Sequence, residues 1–352
     1  MRNLAVFLFA FLLLLAVTGF ALYYWYTNAI AMPNGMSQAP VVFEVLPGDS
    51  VEEIADNMVE QGILRDKWAF IIHAKIYPDL VAKFQAGYFE MTAHNSVVEL
   101  FTILQKAKNK DDLKLTIVEG LRYDEIAEVL DREFQKVPGT RFSKDEFLAI
   151  AAQPSSVPYS VEVATYLSIY KPQSASLEGY LYPDTYFFAK DSDAKAVIEK
   201  LVLTLFLKID PDDLAFINTS NYSFNQYLTM ASLIEREALA LDEEPMIADI
   251  ILKRMEEGIN GLRLLQIDAS LLYPVKDWKA DAFKLKTVDN PYNTYMHPGL
   301  PPSPICNPGI HAITSALYPS ENDYFYYLHD SEGNIHYAKT YSEHLSNIKR
   351  YL

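Results

Sequence analysis

From Leu4 to Trp25 the chain runs for 22 residues without a charged side chain, dominated by Leu, Phe, Ala and Val. As a helix rising 1.5 Å per residue, this stretch reaches roughly 33 Å, the thickness of a bilayer core. Tyr23, Tyr24, Trp25 and Tyr26 close it with an aromatic cluster suited to a membrane–water interface. Arg2 is the only charge before the span, and no Lys or Arg follows until Arg65. The positive-inside rule then leaves the N-terminus in the cytoplasm and the rest of the chain outside. A cleaved signal peptide has a similar pattern, and Ala29-Ile30-Ala31 resembles a cleavage site. The apolar run, however, exceeds the 7–15 residues of a signal core. The sequence therefore predicts a single-pass anchor over residues 1–26 in the plasma (inner) membrane, with an extracytoplasmic body.

Residues 27–40 carry no charge and include Pro33, Gly35, Ser37 and Pro40, which reads as a linker. Strand-like Val41 to Leu46 follows, then a Pro47-Gly48 turn. Ser50 with Glu53 forms a capping box ahead of Val51, Ile54, Ala55 and Met58 at helical spacing. The arrangement returns 72 residues later: Leu115 to Val118 is strand-like, Gly120 matches Gly48, and Ile126-Ala127 matches Ile54-Ala55. This weak repeat predicts two small α+β modules in tandem. Further on, Gln85 to Met91 reads as a strand, and Val97–Lys106 and Ala194–Lys208 as helices. Tyr324–Leu328 and Ile335–Ala338 read as a hairpin over Ser331–Asn334. The fold class is α+β.

Composition removes several functions. A net charge of −16 opposes nucleic-acid binding, which needs clustered cations. Cys306 is the only cysteine, so an intrachain disulfide and a lipoprotein anchor are both excluded. No HExxH, Cys/His cluster, P-loop, GxGxxG or GxSxG occurs. No metal or cofactor is expected.

The segment Leu228 to Leu239 carries the most chemistry. As a helix it places Leu228, Ala231, Ser232, Glu235 and Ala238 on one stripe and Met230, Leu233, Ile234 and Glu237 on another. Bulky residues fill cores, whereas small ones leave room for approach. This reasoning assigns Glu235 to a cleft and Glu237 to the edge of the packed face. A carboxyl in a partly apolar cleft stays protonated to higher pH and can donate a proton to a leaving oxygen. The competing reading pairs both glutamates with Arg236 or Arg254. Ser176 to Tyr186 holds Glu178, Asp184 and three tyrosines suited to a carbohydrate surface, or equally to a structural turn. Gln266, Asp268 and Tyr292-Asn293-Thr294-Tyr295 offer further groups for sugar hydroxyls and N-acetyl groups.

In order along the chain, Ala86-Gly87-Tyr88, Glu119-Gly120-Leu121, Leu177-Glu178-Gly179, Tyr182-Pro183-Asp184-Thr185-Tyr186, Ala231-Ser232-Leu233-Ile234-Glu235-Arg236-Glu237, Leu265-Gln266-Ile267-Asp268, Tyr292 to Tyr295, Gly299-Leu300-Pro301-Pro302 and Pro304 to Gly309 resemble the endolytic murein transglycosylases, the YceG-like proteins. Ala269 and Pro274 depart from the usual pattern, which has proline and glycine there. The resemblance implies an anchor, a small LysM-like module over 41–110 and a mixed α+β lytic transglycosylase domain over 111–352. It implies Glu235 as the catalytic acid. Glu178, Glu237, Gln266, Asp268, Tyr292, Asn293, Thr294 and Tyr295 would serve glycan binding. The expected partners are peptidoglycan strands, the inner membrane and peptidoglycan synthases. Two alternatives are a hydrolase and a non-catalytic glycan-binding anchor that recruits cell-wall synthesis machinery.

Overall fold

A computed structural model describes residues 2–106 and 112–352. The domain boundary expected at 110/111 lies outside these residues. The chain divides into two compact units, residues 1–112 and 113–352.

The first unit begins with α1 (Arg2–Ala31), followed by β1 (Val41–Val45), α2 (Val51–Glu60), α3 (Lys67–Ile76), the short α4 (Pro78–Val81), β2 (Gly87–Met91) and α5 (Val97–Ile103). Phe9–Ala31 is long and apolar enough to cross a membrane by length and composition. The expected linker is shorter and more ordered than its composition suggests. Its first five residues continue α1. Beyond them, the Asn34 side-chain amide donates to the Asn95 carbonyl at 2.8 Å and Gly35 N–H to Ala93 at 2.6 Å. The Tyr26 hydroxyl meets His73 Nδ1 at 2.8 Å. β1 and β2 pair antiparallel, with Phe43 opposite Phe89. Between them α2 opens on the predicted box, with Ser50 and Glu53 capping each other. Phe43, Phe70, Phe89, Phe101, Met58 and Leu100 form the core of this unit.

The second unit contains β3 (Leu113–Thr116), α6 (Tyr123–Phe134), α7 (Lys144–Ala152), a 3-10 turn (Pro154–Ser156), α8 (Val161–Tyr170), β4 (Thr185–Phe188), α9 (Ala194–Lys208) and α10 (Pro211–Thr219). It continues through α11 (Phe224–Glu237), α12 (Glu244–Glu256), α13 (Asp268–Leu272), α14 (Ala282–Leu285), α15 (Ile310–Leu317), β5 (Tyr326–His329), β6 (Ile335–Ala338) and α16 (Tyr341–Tyr351). Here the tandem-module expectation is corrected. Both copies of the strand–turn–helix exist, and Gly48 and Gly120 both adopt positive φ, 100° and 76°. The second copy is nevertheless no separate module. β3 finds its partner in β4, about 70 residues on, and α6 packs into the single core of this unit. That core also absorbs Tyr180, Tyr182 and Tyr186, whose exposures are 0%, 5% and 2%. These rings are therefore structural and form no carbohydrate surface.

α11 runs through the middle of this core. From Phe224 to Ile234 every residue except Gln226 is buried, on both stripes. The helix starts at Ser223, which shares a capping box with Gln226, and it packs on α12 and α15. Fully burying one such Leu or Ile is worth about 1.5–3 kcal/mol, so the helix axis is firmly fixed. Its last turn carries the two acids.

Candidate active site

The small-residue stripe of α11 receives backbone. Ser232 Oγ accepts the Ile305 N–H at 3.0 Å, and Cys306 Sγ lies 3.4 Å from the Ser232 carbonyl. A larger side chain at 231 or 232 would hold the Pro304–Gly309 segment away. Asn307 ties this segment to two other motifs. Its side-chain amide donates to the Leu121 carbonyl at 3.0 Å and to Glu178 Oε1 at 2.9 Å, while its Oδ1 accepts Leu181 N–H at 2.8 Å. Gly179, at φ 87°, packs so closely that a Cβ would sit 2.6 Å from Pro304 Cγ. Four separated motifs thus form one knot.

Glu235 lies at the edge of that knot, half-buried. Its Oε2 accepts the Gly309 N–H at 3.0 Å, its single hydrogen bond to protein among the described residues. Burial raises its pKa, the Gly309 N–H opposes this, and the nearby Glu119 adds to the rise. Arg236 does not lock it, because that guanidinium stacks over Trp278 at 4.0 Å. Glu119 comes close enough that a side chain at 309 would strike its carboxylate.

Glu237 points elsewhere. It is the last residue of α11, and Ala238 already has extended backbone. The side chain therefore leaves the helix end and lines a cavity of about 660 Å³ with Arg254, Gln266, Asp268, Tyr295 and Tyr327. Glu235 is not among the lining residues. The volume and polar lining suit a ligand of a few sugar rings. Glu237 Oε2 accepts the Tyr327 hydroxyl at 2.7 Å. Burial raises its pKa, Tyr327 opposes this, and the Asp268 charge raises it further. Arg254 tempers the rise from nearby but forms no ion pair with it: its Nε donates to Phe325 O at 2.8 Å and its Nη1 to Leu265 O at 2.6 Å. Asp268 is committed to the Tyr295 hydroxyl at 2.5 Å and to Lys286 at 3.2 Å.

Loop 292–295 holds this wall in place. Thr294 Oγ1 accepts the Ile267 N–H at 2.9 Å and meets Ser270 Oγ at 2.9 Å, while its carbonyl accepts the Gln266 N–H at 3.1 Å. The Asn293 NH₂ shares its two hydrogens among three carbonyls at and beyond the end of α14. Gln266, exposed, is held in left-handed backbone at φ 54°. A non-glycine residue held there costs energy, and such positions cluster at ligand sites.

The nine sequence-predicted site residues therefore separate. Glu237, Gln266, Asp268 and Tyr295 share the cavity. Glu178, Asn293 and Thr294 are each 1% exposed. Their polar atoms bond within the protein interior, and none of the three lines the cavity. Tyr292 bonds Ser303 at 2.7 Å and packs at a tilt against Tyr273, away from the cavity lining. Arg254, which the sequence offers only as a salt-bridge partner, and Tyr327, which it offers only as a strand residue, complete the lining. Neither has a local signal, because they arrive from α12 and β5. Among the described residues, no group of three or more His, Cys, Asp or Glu could hold a metal ion.

A profile described as the YceG-like family matches residues 43–350. The protein named endolytic murein transglycosylase in Streptococcus pneumoniae D39 is 26% identical, over 97% of this chain and 64% of its own length. This chain thus spans just under two thirds of that relative. The protein of the same name in Bacillus subtilis 168 is 28% identical, over 90% of this chain and 86% of its own. A crystal structure described as a putative YceG-like protein from Listeria monocytogenes is 28% identical, with a TM-score of 0.55 over 88% of this chain and 99% of that one. With most of its length matched, this chain belongs to the YceG-like family.

Proposed function

We propose that the protein is a membrane-anchored endolytic transglycosylase that cuts the MurNAc–GlcNAc bond within peptidoglycan strands, with Glu237 as its proton donor. The observation that carries this is the placement of a raised-pKa carboxyl in the same cavity as Gln266, Asp268 and Tyr295. The names of the relatives support the substrate class. A glycosidase needs a second carboxylate to activate water or attack carbon. A lytic enzyme needs only one, because the muramoyl C6 hydroxyl attacks its own anomeric carbon and gains high effective molarity. Glu237 protonates the departing oxygen as the C1–O bond breaks. As carboxylate it then accepts the proton from the C6 hydroxyl as the 1,6-anhydro bond forms. Tyr327 steadies the charged form in between.

Helix α1 would hold the body on the outer face of the membrane, close to strand synthesis and to peptidoglycan synthases. The β1–α2–α3–β2 order of the first unit suits a LysM-like glycan-holding module. The product strand would be ended rather than rebuilt, which limits nascent strand length.

The test compares Glu237→Gln with Glu235→Gln on purified uncross-linked strands, with products identified by mass. Glu237→Gln should lower kcat by about 10²–10⁴-fold with unfolding unchanged, and wild-type ends should be one water lighter than hydrolysed ends. Glu235 remains the second reading, favoured by its own burial-raised pKa. Full activity in Glu237→Gln and none in Glu235→Gln would establish it. Hydrolysed ends would instead make Asp268 a base, and no cleavage by wild type would leave a binding anchor.

A further inference from the structure

A second recess, of about 600 Å³, lies beside the cavity and is lined by Asn225, Thr229, Met255, Arg263, Leu300 and Pro301, among others. The segment 262–266 is the wall between the two. Leu262, Leu264 and Gln266 line the first cavity, and Arg263 the second. On α12, Arg254 faces the first, while Met255 and Glu256 face the second.

Two features mark the recess as built for a ligand. Asn225 is 8% exposed, and its Oδ1 accepts the Tyr180 hydroxyl at 3.1 Å. Its Nδ2 donors meet no protein acceptor among the described residues and line the recess. These donors are not closed off from solvent, so they open onto the recess, where a ligand can accept from them in place of water. Arg263 is the second feature. It is exposed and, among the described residues, forms no ion pair, although the Glu256 carboxylate also lines the recess. That acid is occupied by the Tyr222 hydroxyl at 2.7 Å. A guanidinium and open amide N–H groups beside Leu300 and Pro301 call for a ligand with a carboxylate, amide carbonyls and small apolar side chains.

A muramoyl peptide has all of these groups, whereas the peptide-free glycan offers a lactyl carboxylate and N-acetyl carbonyls but no small apolar amino-acid side chains. We infer that the recess takes the stem peptide of the strand whose sugars occupy the first cavity, with Arg263 on a peptide carboxylate and Asn225 on a peptide carbonyl. This rests on the strand-cutting reading for its choice of peptide.

The experiment titrates the full chain in detergent with a synthetic L-Ala-γ-D-Glu-L-Lys-D-Ala peptide by calorimetry, using wild type, Arg263→Glu and Asn225→Asp. Asn225→Asp keeps the acceptor for Tyr180 and removes the donors. Each variant should weaken binding at least tenfold. A second arm measures cleavage of strands with their peptides and strands stripped by an amidase. In Arg263→Glu the ratio of kcat/KM on the first to that on the second should fall at least tenfold, through KM. Absence of peptide binding to wild type, or equal binding by all three proteins, overturns the inference whether or not strands are cut. Absence of cleavage with Arg263-dependent peptide binding instead removes the strand-cutting reading and leaves the peptide site.

Discussion

Glu178 should make the protein lose stability as pH rises, and Glu178→Gln should abolish that loss. The carboxyl is 1% exposed, and burial pushes its pKa up from 4.5 to about 8. The unfolded chain releases this proton near 4.5, whereas the folded chain holds it until about 8. Within that window the folded state binds more protons, so raising the pH favours unfolding. At about 1.4 kcal/mol per pH unit, the loss between pH 5 and pH 8 is on the order of a few kcal/mol, a large share of a typical 5–15 kcal/mol stability. Glutamine keeps Oε1 as acceptor for the Tyr123 N–H at 3.0 Å and for Asn307 at 2.9 Å. Its NH₂ takes the place of Oε2, which has no hydrogen-bond partner. The neutral acid bears the same deficit, so the two proteins should be near equal at pH 5. They should diverge by a few kcal/mol by pH 8, with glutamine the more stable. Trp278 is the sole tryptophan of the second unit, so urea unfolding in a Trp25→Phe, Trp68→Phe background reads this unit alone. Parallel pH profiles for the two proteins would refute the reasoning. So would a glutamine variant several kcal/mol weaker at pH 8, which would mean that a charged carboxylate is held by its two N–H donors.

Gly179→Ala forces a side chain onto a φ of 87° and onto the Pro304 ring, so it should cost about 2–4 kcal/mol; an unchanged Tm would contradict the packing. Ser232→Ala strips the buried Ile305 N–H of its acceptor and should cost about 1–3 kcal/mol in urea unfolding. Thr294→Val keeps shape but leaves the buried Ile267 N–H without its acceptor, so it should cost about 1–3 kcal/mol; assayed well below its Tm, strand cleavage should still fall tenfold or more, and undiminished cleavage there would show that the 266–268 wall does not depend on this bond. Cleavage by wild type should decline as pH rises through the raised pKa of Glu237, since the donor must be protonated. Tyr327→Phe removes a bond that favours the charged form, so this alkaline limb should move to higher pH; a shift downward would show that Tyr327 stabilises the acid instead.

The features legible in the sequence share a short range. The α1 span, the Ser50–Glu53 box, α9 over Ala194–Lys208 and the β5–β6 hairpin each follow from neighbours within a turn or two. The pairing of β3 with β4 was not legible, because it depends on a long-range match across α6, α7 and α8. The tyrosines of 180–186 misled for a related reason. Tyr is amphipathic, and its hydroxyl can be satisfied inside, as Tyr186 is by the Tyr182 carbonyl at 2.6 Å. Composition cannot tell such a ring from one that stacks on a sugar.

The two acids of α11 show the limit most sharply. The wheel argument treats a small-residue stripe as open space, but close packing abhors voids. Beside Ala231 and Ser232 the space is filled by the backbone of Ile305 to Gly309, and Glu235 inherits a glycine N–H from it. A wheel also presumes that the helix continues. Glu237 is where it stops, and the last residue of a helix is freed from the face to which its angle assigns it. Its surroundings are then set by the chain that arrives from α12, the 262–268 wall and β5, none of which the local pattern encodes. An acid at a buried helix end, with a tyrosine hydroxyl at 2.7 Å and no ion pair, has the burial to stay protonated and the opening to reach a ligand. On this geometry the proposed chemistry turns on the end of the helix and not on its stripe.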